Sequence, residues 1–503
     1  MRFMVIHGPN LNMLKSRPQS IYGQRSLEEI NNEIRTWCMK NNIHVDIVQS
    51  NCEGEIIDYL HKFQSYNGIV INPGAYTHYS YAIGDAVELV NIPVVEVHLS
   101  DIYSREDFRR KSVIASHCYR QISGFGFHGY ILALQAIIHK IEEVDSMTYY
   151  RVAELKKQLK EKGLDAMLVN QPENRQYITG FTGSSGYVLF TQDKDYFFTD
   201  FRYIEQAKEQ LEGFEIVKHG FSPLDDISQY LSNAGVQKLG FEEHFATYQA
   251  FQRYQKAFKN IQVLPAGPIV EEIRKVKDRT EIENTEKAID IAVAAFEHIL
   301  GFLKPGIKEV DVALELEFFM RKKGASGLAF ETIVASGHRS ALPHGIASEK
   351  VLEEGDFVKM DFGCVYNGYC SDISRTVVLG KATDKQKKIY DTVLKAQQAA
   401  IDNIKAGVSG KKADDYARSV ITEAGYGDKF GHGLGHGIGM VVHENPRVSP
   451  NSEDILRPGN IITVEPGIYI PEYGGVRIED MLVITEDGSK NLTKATKEFI
   501  EIT

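Results

Sequence analysis

Two aspartates in the last third of the chain, Asp361 and Asp372, are spaced so that a hairpin would bring them together. The dipeptide Asn367-Gly368 between two β-rich runs predicts a tight turn, which pairs Gly363 with Asp372. Asp361 then lies on the same face as Asp372, one diagonal step of about 7–8 Å away. Because carboxylates this close repel each other unless a cation lies between them, the segment predicts a cation site. Further candidate ligands follow in GHGLGHGIGMVVHENP, TVEPGIY and GGVRIEDM.

The order of these candidate ligands resembles that of the metallopeptidases with the pita-bread fold, and the flanking residues resemble their Xaa-Pro dipeptidase and aminopeptidase branch. The resemblance spans residues 147–503 and implies a pair of divalent metal ions. Four carboxylates and one imidazole are hard donors, which suit Mn²⁺ best, with Co²⁺ or Zn²⁺ as alternatives. The implied reaction is hydrolysis of Xaa-Pro peptides, in which the ions activate water and polarise the scissile carbonyl. The implied ligands are Asp361, Asp372, His436, Glu465 and Glu479.

Other residues match family positions around the reacting bond. His344 in ALPHG and His443 in VVHENP match histidines that contact substrate or assist proton transfer. Arg477 precedes the implied ligand Glu479 by two residues and so shares its face of the strand. We expect these two histidines and Arg477 to be catalytic, and the resemblance also implies that Glu465 shuttles a proton.

The segment HGLGH allows a second interpretation, because His432 and His436 have the spacing of the histidine pair on the zinc-binding helix of zincins. The segment lacks their catalytic glutamate, and its glycines disfavour a helix. We therefore expect a loop or strand here.

Polar residues also follow the predicted strands of residues 1–146. Runs such as FMVIHG, NGIVINPG and IPVVEVHLS alternate with helical patterns, which predicts a parallel sheet covered by helices on both faces. Ligands bind such sheets at the carboxyl ends of the strands. The residues expected at that edge are Asn10, Asn72, His78, His98 and Ser100.

The motifs GPNLN, NPGAYTH and EVHLSDIYSREDFRR, together with Arg17 and Tyr22, resemble the type II dehydroquinases, the 3-dehydroquinate dehydratases of the shikimate pathway. The resemblance spans residues 1–146 and implies a flavodoxin-like domain that converts 3-dehydroquinate to 3-dehydroshikimate without a cofactor. Such a dehydration needs a base for the proton beside the carbonyl, a group that holds the enolate and an acid for the leaving hydroxyl.

The resemblance assigns these roles to particular residues. Tyr22 is the implied base, and the Arg17 cation would lower the pKa of its phenol, which is ordinarily about 10. His98 would protonate the leaving hydroxyl, with Glu96 on the same strand face to orient it. Asn10 would position a water or donor for the enolate oxygen. The implied substrate contacts are Asn72, His78, the backbone of Leu99, Ser100, Arg109 and, across a subunit contact, Asp85.

The motif GFGFHG, residues 124–129, has the spacing of a dinucleotide-binding fingerprint. It lies in the last strand-helix unit, so no further strand follows to present an acidic residue to a ribose. We therefore interpret its glycines as positions of close helix-sheet packing.

Residues 147–268 contain no recurring cluster of His, Asp or Glu, and we expect a non-catalytic creatinase-like domain that ends before Ile269. Helical patterns flank Ser146-Met147, which predicts two helices, a short linker and the junction of two once-separate chains. The predicted fold class is a multidomain α/β and α+β chain. Its parts are a flavodoxin-like parallel-sheet domain (1–146), a creatinase-type amino-terminal α/β domain (147–268) and a pita-bread metallopeptidase domain (269–503).

The two resemblances together imply a bifunctional enzyme, and composition favours a cytoplasmic one. A formal charge of -11 argues against a nucleic-acid partner, and no apolar run is long enough for a membrane span. The five cysteines form no CxxC pair, which favours a reducing cytoplasm. Both resemblances imply homo-oligomers. The alternative is that one half is catalytically silent and acts as a binding or assembly module.

Overall fold

The computed structural model describes residues 1–18 and 24–503, and it describes no side chains within 142–148. Contacts between residues divide the chain into two units, Met1–Tyr150 and Arg151–Thr503. Among the described residues, no helix has the length and apolar character that crossing a membrane requires.

The first unit contains a five-stranded parallel sheet in the order β2-β1-β3-β4-β5. This order confirms the predicted flavodoxin-like arrangement. The strands are β1 (Arg2–His7), β2 (His44–Gln49), β3 (Gly68–Asn72), β4 (Val94–His98) and β5 (Arg120–Ser123). The helices are α1 (Leu27–Lys40), α2 (Glu53–Leu60), α3 (Tyr81–Glu88) and α4 (His128–Glu161).

Two apolar clusters cover the two faces of this sheet, which is why its central strands are apolar on both sides. β3 and β4 are buried along their whole length. Gly129 of the GFGFHG motif supports the packing interpretation, because a Cβ there would lie 3.2 Å from the Val97 side chain. Helix α1 begins with a capping box in which Ser26 and Glu29 exchange hydrogen bonds with each other's backbone N–H.

Helix α4 corrects one prediction. The sequence predicts two helices with a linker at Ser146-Met147, whereas the structure has a single helix of 34 residues, His128–Glu161. No Gly or Pro occurs between Gly129 and Gly163, so no residue there interrupts helical hydrogen bonding. The helix ends before Gly163, whose φ of 66° suits glycine.

The second unit begins with a six-stranded mixed sheet in the order β11-β10-β6-β7-β8-β9. Its strands are β6 (Ala166–Val169), β7 (Tyr187–Phe190), β8 (Asp195–Thr199), β9 (Glu215–Lys218), β10 (Lys238–Phe241) and β11 (Gln262–Pro265). The accompanying helices are α5 (Pro172–Thr179), α6 (Ile204–Gln210), α7 (Pro223–Asn233), α8 (Tyr248–Ala257) and α9 (Ile269–Arg274).

The remainder of the second unit packs long helices against antiparallel-rich sheets. The two larger sheets have the orders β13-β14-β17-β25 and β19-β18-β20-β23-β24. The helices are α10 (Arg279–Leu300), α11 (Glu309–Lys322), α12 (Asp384–Asn403) and α13 (Gly410–Glu423). The strands are β12 (Gly327–Leu328), β13 (Ile333–Ser336), β14 (Phe357–Phe362), β15 (Cys364–Tyr366), β16 (Tyr369–Cys370), β17 (Ile373–Leu379), β18 (Gly435–Gly437), β19 (Glu444–Val448), β20 (Ile461–Val464), β21 (Gly467–Ile470), β22 (Gly474–Arg477), β23 (Asp480–Ile484), β24 (Ser489–Asn491) and β25 (Glu501–Ile502).

The hairpin predicted from Asn367-Gly368 is present with the predicted register. Both turn residues have positive φ, 48° and 83°, as a two-residue hairpin turn requires. Asp361 pairs with Ser374, which places Asp372 one diagonal step from Asp361. Between them the strands approach closely, because a Cβ on Gly363 would lie 1.9 Å from the Ser371 carbonyl oxygen. The turn therefore fixes the relative position of the two aspartates.

Arg375 of β17 is only 1% exposed, and its guanidinium forms hydrogen bonds and an ion pair inside the protein. It forms an ion pair of 2.8 Å with Asp480, which is 0% exposed, and donates to the carbonyls of Glu479, Ala495 and Thr496. Burial alone would raise the pKa of Asp480, but the cations of Arg375 and Lys497 hold it below its usual range. This network ties the start of β23 to β17.

Replacing Arg375 with Met should leave Asp480 as a buried carboxylate without its main cation. We expect Arg375→Met to lower the free energy of unfolding by about 3–5 kcal/mol, measured by urea unfolding followed by far-UV circular dichroism. Lys490→Met is the control, because the Lys490–Glu286 pair is solvent-exposed and contributes only about 0–1 kcal/mol. Equal effects of the two substitutions would contradict this account of the network.

Candidate active sites

The second unit contains a cavity of about 650 Å³ between its larger sheets. All five predicted ligands line this cavity, as do three predicted catalytic residues, His344, His443 and Arg477. The ligands are Asp361 on β14, Asp372 just before β17, His436 on β18, Glu465 after β20 and Glu479 just before β23. HGLGH is non-helical and ends in a strand, as the sequence analysis expects.

Three of the predicted ligands lie close enough together to hold one metal ion. Ligand atoms of Asp372, His436 and Glu479 all lie within 4.8 Å of one another. His436 Nε2 is 3.7 Å from Asp372 Oδ2 and 3.4 Å from Glu465 Oε1. The Nδ1–H of His436 donates to the Gly437 carbonyl, which leaves Nε2 with its lone pair directed to the carboxylates.

The electrostatics of this cluster are unfavourable without an added cation. Burial, and then the neighbouring carboxylates, raise the pKa of Asp372 well above its usual range. Burial followed by Glu465 and Asp361 does the same for the pKa of Glu479, and burial raises the pKa of Glu465 to about 7. Burial also lowers the pKa of His436 to about 4, so its imidazole is neutral and able to bind a metal ion.

Two oxygens in the cluster have no protein partner among the described residues. Asp361 Oδ1 and Glu479 Oε1 are buried without a hydrogen bond, although Asp361 Oδ2 accepts from Arg477 and Glu479 Oε2 accepts from Ser374. Buried oxygens normally have partners, and divalent cations prefer carboxylate oxygens. The donor set therefore fits divalent metal ions.

Arg477 contacts several parts of the site. It donates to Asp361, to the Pro343 carbonyl at 3.0 Å and to the Tyr469 hydroxyl at 2.9 Å. The Tyr469 hydroxyl in turn donates to His432 Nε2, whose neutral ring has a pKa lowered to about 4 by burial. Arg477 thus orients the Asp361 carboxylate, and its catalytic role stays a prediction.

Sequence reasoning missed four polar residues that line this cavity: Glu331, His432, Arg447 and Ser449. Arg447 pairs directly with His436 across β18 and β19. Its charge, after burial, lowers the pKa of His443, whose ring centroid lies 4.4 Å from that of His436. The sequence signal that could have indicated Arg447 is the VVHENPR segment, in which this arginine follows His443 by four residues.

The first unit has a second cavity, of about 350 Å³, at the carboxyl ends of its strands. Seven of the predicted residues line it, and Arg105, which sequence reasoning missed, lines it too. Arg105 Nη1 lies 3.5 Å from the Ser100 hydroxyl. The seven predicted residues are Arg17, Asn72, His78, His98, Leu99, Ser100 and Arg109.

His98 is held by Glu96, as the strand spacing predicts. The His98 Nε2–H donates to Glu96 Oε1 at 2.9 Å. Burial alone would raise the pKa of Glu96, but its hydrogen bonds with His98, Thr77 and Gln121, together with the charge of His98, keep it below the usual range. The carboxylate is thus ionised and fixes the orientation of the imidazole.

Asn72 is oriented by a buried relay that sequence reasoning missed. The His7 Nε2–H donates to Asn31 Oδ1 at 2.8 Å, so Nδ1 accepts from the Tyr130 hydroxyl at 2.9 Å. The Tyr130 oxygen then accepts from Asn72 Nδ2 at 2.9 Å, and Asn72 Oδ1 accepts from the Gly74 N–H. Burial lowers the pKa of His7 to about 4, so the ring stays neutral and the direction of every bond is fixed.

The other three predicted residues are not among those that the structure shows lining this cavity. Tyr22 falls outside the described residues. Asn10 has an exposed side chain, and its neighbours Pro9 and Leu11 line the cavity in its place. Asp85 is exposed on α3, away from the cavity lining. The roles assigned to these three residues stay predictions.

Comparison with protein families divides the chain in the same order. Residues 1–138 match the family described as Dehydroquinase class II. Residues 151–276 match the Creatinase/Prolidase N-terminal domain, and residues 283–486 match Metallopeptidase family M24.

Individual relatives match the second unit. The uncharacterized peptidase YqhT of Bacillus subtilis is 50% identical over 67% of this chain and 96% of its own length. The Xaa-Pro dipeptidase of Pyrococcus furiosus is 40% identical over 70% of this chain and 99% of its own length. Among solved structures, the Xaa-Pro dipeptidase from Bacillus anthracis is 47% identical, covers 70% of this chain and 99% of its own, and has a TM-score of 0.69. The chain therefore belongs to the M24 metallopeptidase family, and it carries a class II dehydroquinase domain before the creatinase/prolidase amino-terminal domain.

Proposed function

We propose that the second unit is an Xaa-Pro dipeptidase that uses a pair of divalent ions, best suited by Mn²⁺. The observation that carries this proposal is the buried cluster of carboxylates around His436 with two oxygens that lack protein partners. Similarity to relatives named Xaa-Pro dipeptidases supports the substrate class. The ions would be held by Asp361, Asp372, His436, Glu465 and Glu479.

When bound, divalent ions supply Lewis-acid activation of water and of the scissile carbonyl. The chain's own residues position the peptide and move protons. His443 and His344 line the cavity from two different segments, and burial lowers the pKa of His443, so its ring is neutral near pH 7 and has a nitrogen that can accept a proton. The Arg447 guanidinium suits the free carboxylate of a dipeptide, which favours dipeptidase over aminopeptidase action.

This proposal predicts metal-dependent cleavage before proline. The purified chain should hydrolyse Leu-Pro, lose this activity after treatment with a chelator and regain it with Mn²⁺, as measured by release of free proline. Leu-Ala is the matched control for specificity. Cleavage that survives chelation, or no cleavage of any Xaa-Pro dipeptide with Mn²⁺ present, would contradict the proposal.

We propose that the first unit is a 3-dehydroquinate dehydratase that needs no cofactor. The supporting observation is that seven predicted residues share one cavity at the carboxyl edge of the sheet. Tyr22 removes the proton beside the carbonyl, with the charge of Arg17 favouring its phenolate. His98, oriented by Glu96, protonates the leaving hydroxyl, and Arg109 binds the substrate carboxylate.

The alternative is that one half is a silent binding or assembly module. A pair of substitutions distinguishes the alternatives and serves as its own control. Tyr22→Phe should reduce enone formation from 3-dehydroquinate by at least ~100-fold and leave Leu-Pro cleavage unchanged, because it removes only the base. Asp361→Asn should do the reverse. Absence of either activity in the unmodified chain would show that half to be silent, and loss of both activities from one substitution would refute independent sites.

The relay behind Asn72 yields a further prediction. Tyr130→Phe removes the acceptor for the Asn72 amide, so the side chain loses its fixed orientation toward substrate. We expect KM for 3-dehydroquinate to rise about fivefold, equivalent to one hydrogen bond of about 1 kcal/mol, with a smaller change in kcat. Tyr66→Phe, which removes a hydroxyl bonded to Asp46 outside the cavity lining, is the control. An unchanged KM for Tyr130→Phe would show that the relay does not position Asn72.

A further inference from the structure

Lys359 is an unusual residue for the middle of a buried strand. It lies on β14 two residues before Asp361, and it is 0% exposed. Its ammonium forms no ion pair within the described part of the chain. Instead it donates to the Leu342 carbonyl and, at 3.2 Å, to the Pro343 carbonyl, and it lies 5.1 Å from the centre of the Tyr469 ring.

Burying an ammonium group among neutral partners is unfavourable for folding. An apolar side chain of similar length, such as Met, would fill the same position without that cost. We therefore attribute the presence of a lysine at this position to the hydrogen bonds that it donates.

Those contacts converge on the segment that leads to His344. A short 3-10 helix, Gly337–Ala341, precedes Leu342 and Pro343. Arg477 also donates to the Pro343 carbonyl, at 3.0 Å. Two buried side chains thus hold consecutive carbonyls immediately before His344, and the side-chain contact with Leu342 is made by Lys359.

His344 depends on its backbone for placement. Its ring lines the peptidase cavity, is exposed, and has no hydrogen-bond partner among the described residues. A side chain without such partners points where its main chain directs it. The only described groups that fix the two preceding carbonyls by side-chain hydrogen bonds are Lys359 and Arg477.

We propose that Lys359 is a positioning residue that fixes His344 at the substrate cavity by holding the carbonyls of Leu342 and Pro343. This inference rests on the proposed peptidase function, in which His344 contacts substrate. Lys359 itself is not among the residues that line the cavity.

A double-mutant cycle tests the proposal. Lys359→Met should lower kcat/KM for Leu-Pro about tenfold in the otherwise unmodified chain and less than about twofold in a His344→Ala background, because the two residues act through one contact. Bound Mn²⁺ per chain should be the same in all four proteins. Equal losses in both backgrounds, or no loss in either, would overturn the proposal.

Lys350→Met is the matched control. Lys350 is also a largely buried lysine of this unit, and it donates to the Val351 carbonyl and pairs with Asp356 outside the cavity lining. Its substitution should leave kcat/KM unchanged in both backgrounds. A loss equal to that of Lys359→Met would show that removing any buried lysine has this effect, and would overturn the proposal.

A second measurement does not depend on activity. Hydrogen–deuterium exchange of the Mn²⁺-loaded chain should show faster exchange of the amides within 337–346 in Lys359→Met than in Lys350→Met. Lys359→Gln, which keeps an uncharged N–H donor, should lie between them and replaces Lys359→Met in both experiments if that variant does not fold. Unchanged protection would overturn the proposal, whereas an unmodified chain that leaves Leu-Pro intact would refute only the peptidase function.

Discussion

The repulsion among four buried carboxylates is the constraint on which the second unit depends. Asp361, Asp372, Glu465 and Glu479 all line one cavity, and burial plus their mutual charge raises the pKa of the last three. The charge of Arg477, which pairs with Asp361, offsets only part of this repulsion. Such a cluster costs stability in the folded chain unless cations complete it, so the fold must hold these groups in place against their repulsion.

The surrounding elements supply that restraint. The Asn367-Gly368 turn fixes Asp361 relative to Asp372, and Arg375 holds the Glu479 carbonyl from a buried position. The creatinase-like part contributes as well, although it brings no ligand of its own. Tyr369 of the hairpin packs in the same apolar cluster as Tyr177, and its hydroxyl donates to the buried Glu281. Through Tyr177, the creatinase-like part therefore packs against the hairpin that joins Asp361 to Asp372.

Features set by local chemistry could be predicted from the sequence, and features set by distant contacts could not. The hairpin register follows from two turn residues, and the parallel sheet follows from alternating strand and helix patterns. The carbonyl contacts of Lys359 and the relay from His7 to Asn72 join residues far apart in sequence, 123 positions for His7 and Tyr130, and no local pattern indicates them. The predicted helix break at Ser146-Met147 was wrong, because a Ser-Met pair does not end a helix. The helix instead ends just before Gly163. Tyr22 lies outside the described residues, so its role as the base rests on the motif alone.

The central claim is that the carboxylate cluster is a site for paired divalent ions. Metal content measured by atomic emission on the chain, stripped and then reloaded with Mn²⁺, tests it most directly. The account predicts about two Mn²⁺ per chain, with at least one lost in Glu479→Gln. A chain that binds no Mn²⁺, or that binds the same amount after Glu479→Gln, would contradict it.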